Sequence, residues 1–359
     1  MIRVGLAGFG LAGRVFHAPL ISAVEGLELA AVVERSSRLA EQTYPAITTY
    51  PSLEALLGDA SIDLVVVATP NPSHAPLALE ALEAGRHVVV DKPVAITSGE
   101  IASLIERSRD VGRLLIPFHN RRWDSDFQTL HKLLLEQKLG RVVSLESTFD
   151  RWRQSPRTTL WRESGGPGSG ILLDLGTHLA DQALQLFGLP EAVSAEVVRE
   201  RDGAVSNDAF TVRLYYPGMV ATLSANCLAL LPRPRYTVRG TAGNFVKHGL
   251  DPQEARLKEN PEIVNEGWGE EPESAWGILA AMAAGTDGPP VAAPVPSIPG
   301  DYRRFYAGVR DAILGKAEPP VRAVDAWRTA RLLEWAEESS KARRAIICDW
   351  TNELGEPRA

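Results

Sequence analysis

The chain has 359 residues, of which 45% are hydrophobic and 23% are charged. This length predicts two domains, and the composition excludes a wholly disordered chain. The formal net charge of −7 disfavours non-specific binding to nucleic acids or to anionic membranes, because both depend on a basic surface.

The chain carries two cysteines, Cys227 and Cys348, which lie far apart and outside any CxxC spacing. Neither a disulfide framework nor a cysteine-rich zinc site is therefore expected. No apolar run approaches the roughly 18 residues that span a bilayer. The N-terminus also lacks the apolar segment of a signal peptide, so we expect a cytoplasmic protein.

Strand and helix patterns alternate at short spacing over the first 118 residues. Strands are predicted at 2–7, 28–33, 63–70, 87–91 and 114–118, and helices between them at 14–24, 52–59, 74–84 and 96–112. The run DLVVVATP at 63–70 is continuous and β-branched, as in a strand that is covered on both faces. This alternation predicts a doubly wound parallel sheet.

The pattern changes after residue 118. Helices are predicted around 125–138 and 170–187, and strands with one polar and one apolar face at 142–150, 193–200, 208–216, 219–230 and 235–240. Such a succession favours an antiparallel sheet with one covered face. Residues 258–300 are predicted to form a long loop region with one short helix, and amphipathic helices are predicted at 301–314 and 324–343.

The hexapeptide GFGLAG directly follows the first predicted strand and opens the first predicted helix. Gly8 permits a tight turn, Gly10 lets the backbone approach a pyrophosphate, and Gly13 allows close packing of helix on strand. Amide groups at the start of a helix also favour an anion. The spacing therefore predicts a dinucleotide cradle made of Gly8, Phe9, Gly10, Leu11, Ala12 and Gly13.

The residues after the second strand bear on the choice of nucleotide. Glu34 lies 21 residues after the last glycine of the cradle, where it can accept hydrogen bonds from a ribose 2′-hydroxyl, as in NAD. Arg35 and Arg38, with Ser36 and Ser37, can instead hold the 2′-phosphate of NADP, or can be solvated loop residues. The sequence leaves both cofactors open and leans to NAD.

Ligands of a doubly wound sheet bind outside the carboxyl ends of its strands. Contacts to the cofactor or the substrate are therefore expected from Thr69, Pro70, Asn71, His74, Asp91, Lys92, Asn120 and Arg121. Lys92 follows an apolar strand at the same edge as the glycine loop, where it can contact a nicotinamide ribose and a substrate hydroxyl. An ordinary surface lysine is the alternative for Lys92. The position of His74 favours a capping or packing role at the start of its helix over a chemical one.

The predicted helix around 170–187 carries a polar stripe. Asp174, His178, Asp181 and Gln185 are spaced i, i+4, i+7 and i+11, which places them on one helical face. An aspartate and a histidine one turn apart can form a hydrogen bond in which the carboxylate stabilises an imidazolium. The stripe alone is equally typical of a solvent face. A metal site is not expected, because no second cluster of His or Cys offers ligands.

Three segments together carry a resemblance to a known family: GFGLAG, ATPNPSHAPLALEALEAGRHVVVDKP and GGPGSGILLDLGTHLADQ. They resemble the glucose–fructose oxidoreductase and inositol dehydrogenase family (Gfo/Idh/MocA), and the likeness extends to RGTAGNFVKHGLDPQE and to the closing helices. The opening GLAGRVFHAPLI and the segment FHNRRWDSDF look most similar to scyllo-inositol-dehydrogenase-like members.

The resemblance implies an NAD(P)-binding Rossmann domain at 1–121. It also implies a substrate and oligomerisation domain at 122–359, an α+β domain with a large, mostly antiparallel sheet that forms a homodimer or homotetramer. The implied activity is that of a dehydrogenase acting on a sugar, an inositol or a related polyol. A catalytically silent dinucleotide-binding regulator of the same fold is the alternative, and an enzyme that uses transient oxidation for another reaction is a third reading.

Residue roles are also implied by the resemblance. Lys92 matches the lysine of the family's E-K-P motif, with Asp91 in place of the commoner and longer glutamate, and would hydrogen-bond the reacting oxygen. Asp174 and His178 match the family's Asp-x-x-x-His pair, in which the histidine is the general base and the aspartate orients substrate or histidine.

Other residues are expected around this catalytic set. Asn120 and Arg121 are plausible cofactor or substrate contacts. Trp161 and Arg162 lie in a loop that can reach the nicotinamide pocket, where Trp161 can contact the substrate, although a tryptophan is more often a packing residue.

Overall fold

The computed structural model describes residues 1–35, 38–260, 267–282 and 289–351. The contacts within the chain define two compact units. The first unit contains Met1–Trp123, Pro252–Trp268 and Asp301–Arg328. The second unit contains Asp124–Asp251, Gly269–Gly300 and Thr329–Ala359. The division of the sequence between residues 121 and 122 stays a prediction.

Within the described residues, the sheet of the first unit has six parallel strands in the order β3-β2-β1-β4-β5-β6. The strands are β1 (Ile2–Ala7), β2 (Leu27–Val33), β3 (Thr48–Tyr50), β4 (Leu64–Val67), β5 (His87–Val90) and β6 (Leu115–Pro117). All four residues of β4 are fully buried, as a β-branched run between two helical layers requires. The predicted doubly wound sheet is confirmed, and its order changes direction between β1 and β4, where such folds bind ligands.

Short helices connect and cover these strands. They are α1 (Ala18–Ser22), α2 (Leu39–Thr43), α3 (Leu53–Leu57), α4 (His74–Glu83), α5 (Ser98–Asp110), α8 (Gln253–Glu259) and α9 (Arg303–Ile313). The helix predicted at 14–24 is instead a π-helical turn, Gly13–His17, followed by α1. Pro19 lacks the amide hydrogen that an α-helix would donate to the carbonyl of Val15, which favours a change of hydrogen-bonding register at this point.

The second unit is built on a mostly antiparallel sheet, as predicted. Its nine described strands have the order β14-β13-β12-β11-β7-β10-β9-β8-β15, and β7 and β10 form its parallel pair. The strands are β7 (Val142–Thr148), β8 (Ala192–Val198), β9 (Ala209–Tyr216), β10 (Met219–Asn226), β11 (Tyr236–Gly240), β12 (Gly243–Lys247), β13 (Gly277–Ala281), β14 (Val291–Val295) and β15 (Ile346–Ile347). The helices are α6 (Ser125–Leu135) and α7 (Thr177–Phe187), while α10 (Ala323–Ala342) contributes residues to both units.

The prediction of a loop region over 258–300 was wrong in part, because β13 and β14 lie within it. The two strands pair along their length, from Gly277 opposite Val295 to Ala281 opposite Val291. Their composition is poor in strand-forming residues, and β14 contains Pro294, which is tolerated because β14 is the edge of the sheet. Pairing with a neighbour, rather than propensity, makes these segments strands.

Each unit has an apolar core of its own. Cys227 and Cys348 are free and buried. Among the described residues, none of the helices is long and apolar enough to cross a membrane.

Candidate active site

The glycine loop after β1 has the geometry of a phosphate cradle. Gly8 has a φ of +104°, and a Cβ placed there would lie 2.7 Å from the carbonyl oxygen of Ala68. A Cβ on Gly13 would lie 2.2 Å from the carbonyl oxygen of Gly8. A Cβ on Gly10, in contrast, would meet nothing within 4 Å, so the backbone borders open space. Only glycine fits at positions 8 and 13, and the open space at Gly10 leaves room for a phosphate, as a dinucleotide requires.

The side chains between these glycines point in different directions. Phe9 is buried and packs edge-on against Tyr44, with the ring centroids 6.4 Å apart. Leu11 is exposed and Ala12 is half-buried. Phe9 therefore anchors the loop, and the exposed part of the cradle consists of the Gly10 backbone and the Leu11 side chain.

Glu34, at the end of β2, is buried, and its carboxylate accepts a hydrogen bond from the backbone N–H of Ala40 at 2.9 Å. It thereby caps the start of α2. Arg35 is exposed, and Arg38 lies 3.5 Å from the carboxylate of Glu41. Ser36 and Ser37 lie outside the described residues.

His74 ties two strand ends together. Its Nε2 lies 2.7 Å from the carbonyl oxygen of Thr69, after β4, and its Nδ1 lies 2.7 Å from the carbonyl oxygen of Pro93, after β5. Pro70 is exposed, while Asn71 is buried in a short 3₁₀ turn that leads into α4. Each ring nitrogen of His74 lies within hydrogen-bond distance of a backbone carbonyl, which makes this residue a brace for the loops. Its contact with a cofactor stays a prediction.

The backbone of Lys92 is held by the residue before it. The carboxylate of Asp91 accepts the N–H of Lys92 at 2.7 Å, and it lies 3.8 Å from Nε2 of the buried His17. Burial alone would raise the pKa of Asp91, but the hydrogen bond and electrostatic influence of His17, followed by those of Lys92 and His74, lower the pKa to about 2. A full negative charge therefore lies next to Lys92 at neutral pH. His17 was missed as a functional candidate, because nothing in its segment predicts this partner.

Asn120 and Arg121 are buried in a 3₁₀ turn, Asn120–Trp123, after β6. The guanidinium of Arg121 forms an ion pair with Glu254 of α8. Arg122 forms a second buried pair with Asp325, at 3.2 Å. Arg121 therefore fastens α8 within the first unit, and its contact with a substrate stays a prediction.

Asp174, His178 and Trp161 belong to the second unit. The helix predicted at 170–187 is a π-helical turn, Leu172–Gly176, followed by α7. Asp174 lies in the turn and is half-buried, whereas His178 is buried in the first turn of α7. The wider turn changes the angular offset between the two residues from that of an α-helix. The predicted stripe is not a solvent face, because His178 and Asp181 are buried and Gln185 alone of its four residues is exposed.

Two arginines flank the carboxylate of Asp174. Arg151 Nη1 lies 3.4 Å from Oδ2, and Arg162 Nε lies 4.0 Å from Oδ1. The guanidinium of Arg162 also stacks on the ring of Trp161, 4.4 Å from its centroid, so Trp161 supports Arg162 from a half-buried position. Arg151 was missed from the sequence, since it follows β7 without any recognisable motif.

A buried polar network supports α7. The guanidinium of Arg235 donates to Asp126 at 3.1 Å, to Ser147 at 2.7 Å and to Gln182, which lies one helical turn beyond His178. Tyr236 donates to the same Gln182 oxygen at 2.8 Å. These bonds fix the rotation of the helix that carries His178. Within the described chain, no group of three or more His, Cys, Asp and Glu side chains is placed to hold a metal ion.

A glycine cradle at the switch point of a doubly wound sheet, beside a second unit built on a mostly antiparallel sheet, is the architecture of a dinucleotide-binding protein. Residues 2–119 match the oxidoreductase family described as an NAD-binding Rossmann fold. Residues 127–246 match the GFO/IDH/MocA C-terminal domain. The chain belongs to the Gfo/Idh/MocA oxidoreductase family.

Relatives match the chain over nearly its full length. The uncharacterized oxidoreductase YdgJ of Escherichia coli is 44% identical, over 97% of this chain and 98% of YdgJ. The scyllo-inositol 2-dehydrogenase (NADP(+)) IolW of Bacillus subtilis is 33% identical, over 97% of this chain and 96% of IolW. The solved structure of the Bacillus subtilis oxidoreductase YvaA has a TM-score of 0.93 and 33% identity, and covers 97% of this chain and 98% of its own.

Proposed function

We propose that the protein is an NAD(P)-dependent dehydrogenase that transfers a hydride between the nicotinamide and a CH–OH group of a sugar, an inositol or a related polyol. The carrying observation is that Lys92, Asp174 and His178 all occupy the positions of the family's catalytic motifs. A regulator of this fold that binds a dinucleotide without catalysis would not need these three side chains. The name of IolW, a dehydrogenase of an inositol, supports the same substrate class.

The glycine loop of residues 8–13 fits the pyrophosphate, because the Gly10 backbone borders open space. Thr69, Pro70, Asn71 and Asn120 are the further residues that would hold the cofactor, at the carboxyl ends of β4 and β6. When bound, a nicotinamide accepts or donates the hydride.

The remaining steps are assigned to side chains. His178 removes the hydroxyl proton of the substrate as the general base, or returns it in the reverse direction. The ammonium of Lys92 donates a hydrogen bond to the reacting oxygen and favours the negative charge that develops there. The ionised carboxylate of Asp91 accepts the backbone N–H of Lys92 and so holds this residue in place. Asp174 orients the substrate or the histidine, and its carboxylate is flanked by Arg151 and Arg162.

We infer a preference for NADP, which reverses the lean of the sequence. The carboxylate of Glu34 is engaged with the N–H of Ala40 and is buried. Arg35 and Arg38 follow it in the same loop, and guanidinium groups suit a 2′-phosphate. The relative IolW is named for NADP(+).

A substrate screen tests the proposal. Inositols, aldoses and sugar acids are incubated with NAD or NADP, and the absorbance of the reduced cofactor is followed. Lys92→Ala and His178→Ala should each lower turnover of the best substrate by about a hundredfold or more, with the affinity for cofactor retained. Lys132→Ala on α6 and His248→Ala after β12 are matched controls at exposed or partly exposed positions and should retain activity.

Full turnover in either catalytic variant would remove the assigned roles. Tight binding of a nucleotide without reduction by any compound of the panel would favour the silent regulator instead.

A further inference from the structure

We propose that the second unit carries an anion-binding subsite beside Asp174, centred on Arg153, which receives the carboxylate or phosphate group of an acidic sugar or polyol. This inference rests on the proposed function, because Asp174 belongs to the proposed active site. It narrows the substrate class from polyols in general to those that bear a negative charge.

Positive charge accumulates around Asp174. Five arginines form what we term the arginine cluster, namely Arg151, Arg153, Arg157, Arg162 and Arg201. Their ion pairs join three carboxylates, those of Asp174, Glu163 and Asp208. The cluster therefore has more cations than paired anions, in a chain whose overall charge is negative.

Arg153 is the member of the cluster whose charge is not balanced. Within the residues that the structure describes, no ion pair joins Arg153 to a carboxylate, whereas each of the other four arginines has at least one. The side chain of Arg153 is exposed at the surface of the unit, where desolvation by its neighbours, followed by the guanidinium groups of Arg151 and Arg157, lowers its pKa. A bound anion would relieve this repulsion.

The backbone that carries Arg153 is held in place before any ligand arrives. Its N–H donates to the carbonyl of Cys227 at 2.8 Å. Its carbonyl accepts a hydrogen bond at 3.2 Å from Arg201, which also donates to the carbonyl of Ser155 at 3.3 Å. Arg201 itself is buried and bonded to Asp208 at 2.8 Å. The loop is thus braced from within the unit, which reduces the entropy that ligand binding costs.

Carboxylate and phosphate are the groups that this arrangement suits. A guanidinium presents a planar fork of donors that matches either anion by two parallel hydrogen bonds. Arg151 and Arg162 lie 3.4 and 4.0 Å from Asp174, beyond the usual length of a charge-assisted bond, so their remaining donors can share a second anion. A neutral polyol would bring no negative charge to balance the excess positive charge of the arginine cluster.

Binding measurements on the cofactor-loaded enzyme test the subsite. Isothermal titration calorimetry compares two matched series: glucose, glucuronate and glucose 6-phosphate, and myo-inositol with its 1-phosphate. In at least one series the anionic member should bind about tenfold or more tightly than the neutral one, as expected for a charge-assisted hydrogen-bond pair. The carboxylate and phosphate arms show which anion is preferred.

Variants locate the effect. Arg153→Gln should remove the advantage of the anion while leaving the affinity for the cofactor unchanged. Arg213→Gln, which removes the same charge from an exposed position on β9, should keep the advantage. The advantage should also shrink at high salt.

Equal binding of neutral and anionic members in both series would overturn the subsite, as would an undiminished advantage in Arg153→Gln. The subsite would also be overturned if Arg153→Gln lost affinity for the cofactor but kept the preference for anionic over neutral ligands. Turnover of neutral polyols without any preference for anions would leave the proposed dehydrogenase standing and remove only the subsite. Selective binding of anions without reduction of cofactor by any polyol would remove the dehydrogenase and keep the subsite.

Discussion

Nδ1 of His17 lies 2.6 Å from the hydroxyl oxygen of Tyr306, although the two residues are 289 positions apart in the chain. Both side chains are fully buried. The other ring nitrogen of His17 faces Asp91 at 3.8 Å, so this contact links α9 to the residue that holds the Lys92 backbone. Burial raises the pKa of Tyr306 well above its ordinary value, which keeps the hydroxyl protonated.

Removal of this hydroxyl should destabilise the first unit. Tyr306→Phe leaves a buried nitrogen of His17 without its partner, at a cost of about 1–3 kcal/mol in the free energy of unfolding. Urea denaturation measures the loss. Tyr50→Phe is the matched control, because its hydroxyl bonds Asp59 at 3.2 Å in a partly exposed position where water can replace it. Equal losses in the two variants would contradict the special role of the buried contact.

Asp91 should make the stability of the first unit dependent on pH. Its pKa is about 2 in the folded protein and about 3.9 when unfolded, so the folded state favours the charged form. This contribution, about 2.5 kcal/mol, is present above roughly pH 4 and is lost as the pH falls toward 2. The gap in stability between wild type and Asp91→Asn should therefore be wider at pH 6 than at pH 3.

Asp110→Asn, at an exposed position at the end of α5, is the control and should show a smaller gap that changes less with pH. If the gap for Asp91→Asn stays constant or widens on acidification, the carboxylate is not held ionised by its neighbours.

Local patterns predicted the parts of the fold that depend on local chemistry. The continuous run at β4 and the glycines at 8, 10 and 13 indicated a sheet and a cradle because strand burial and tight turns restrict residue type over a few positions. The π-helical turn at Leu172–Gly176 was not predictable in this way, since it shifts the register without changing the polar pattern.

Contacts between distant parts of the chain could not be predicted, because they leave no local pattern in the sequence. Arg121 and Glu254 are 133 residues apart, and Arg235 and Asp126 are 109 apart. Each arginine is unremarkable in its own segment, and only the folded chain supplies the carboxylate that makes it structural. His17 is a further example. The resemblance drew attention to its segment, but nothing in the sequence predicted its contacts with Asp91 and Tyr306.

The buried pair of Arg235 and Asp126 should be far more sensitive to substitution than a partly exposed ion pair of the second unit. Asp126→Asn would leave a guanidinium that is almost wholly buried with only neutral acceptors, a change that typically costs about 3–5 kcal/mol. Glu334→Gln is the control, because its pair with Arg331 is partly exposed and should cost below about 1 kcal/mol. Chemical denaturation of both variants measures the difference, and similar losses would show that burial does not decide the strength of the pair.

The loop after β2 should discriminate between the two nicotinamide cofactors. Arg38→Ala removes a cation proposed to hold the 2′-phosphate and should weaken NADP binding by about tenfold while changing NAD binding little. Glu34→Gln keeps an oxygen that can accept the N–H of Ala40 but removes the negative charge, so NADP should bind as well as before or more tightly. Fluorescence titration of both reduced cofactors provides the affinities, with Arg109→Ala and Glu54→Gln, at exposed positions on α5 and α3, as controls. A selective loss of NAD affinity in Glu34→Gln would show that the carboxylate binds the ribose hydroxyls, and the preference would then be for NAD.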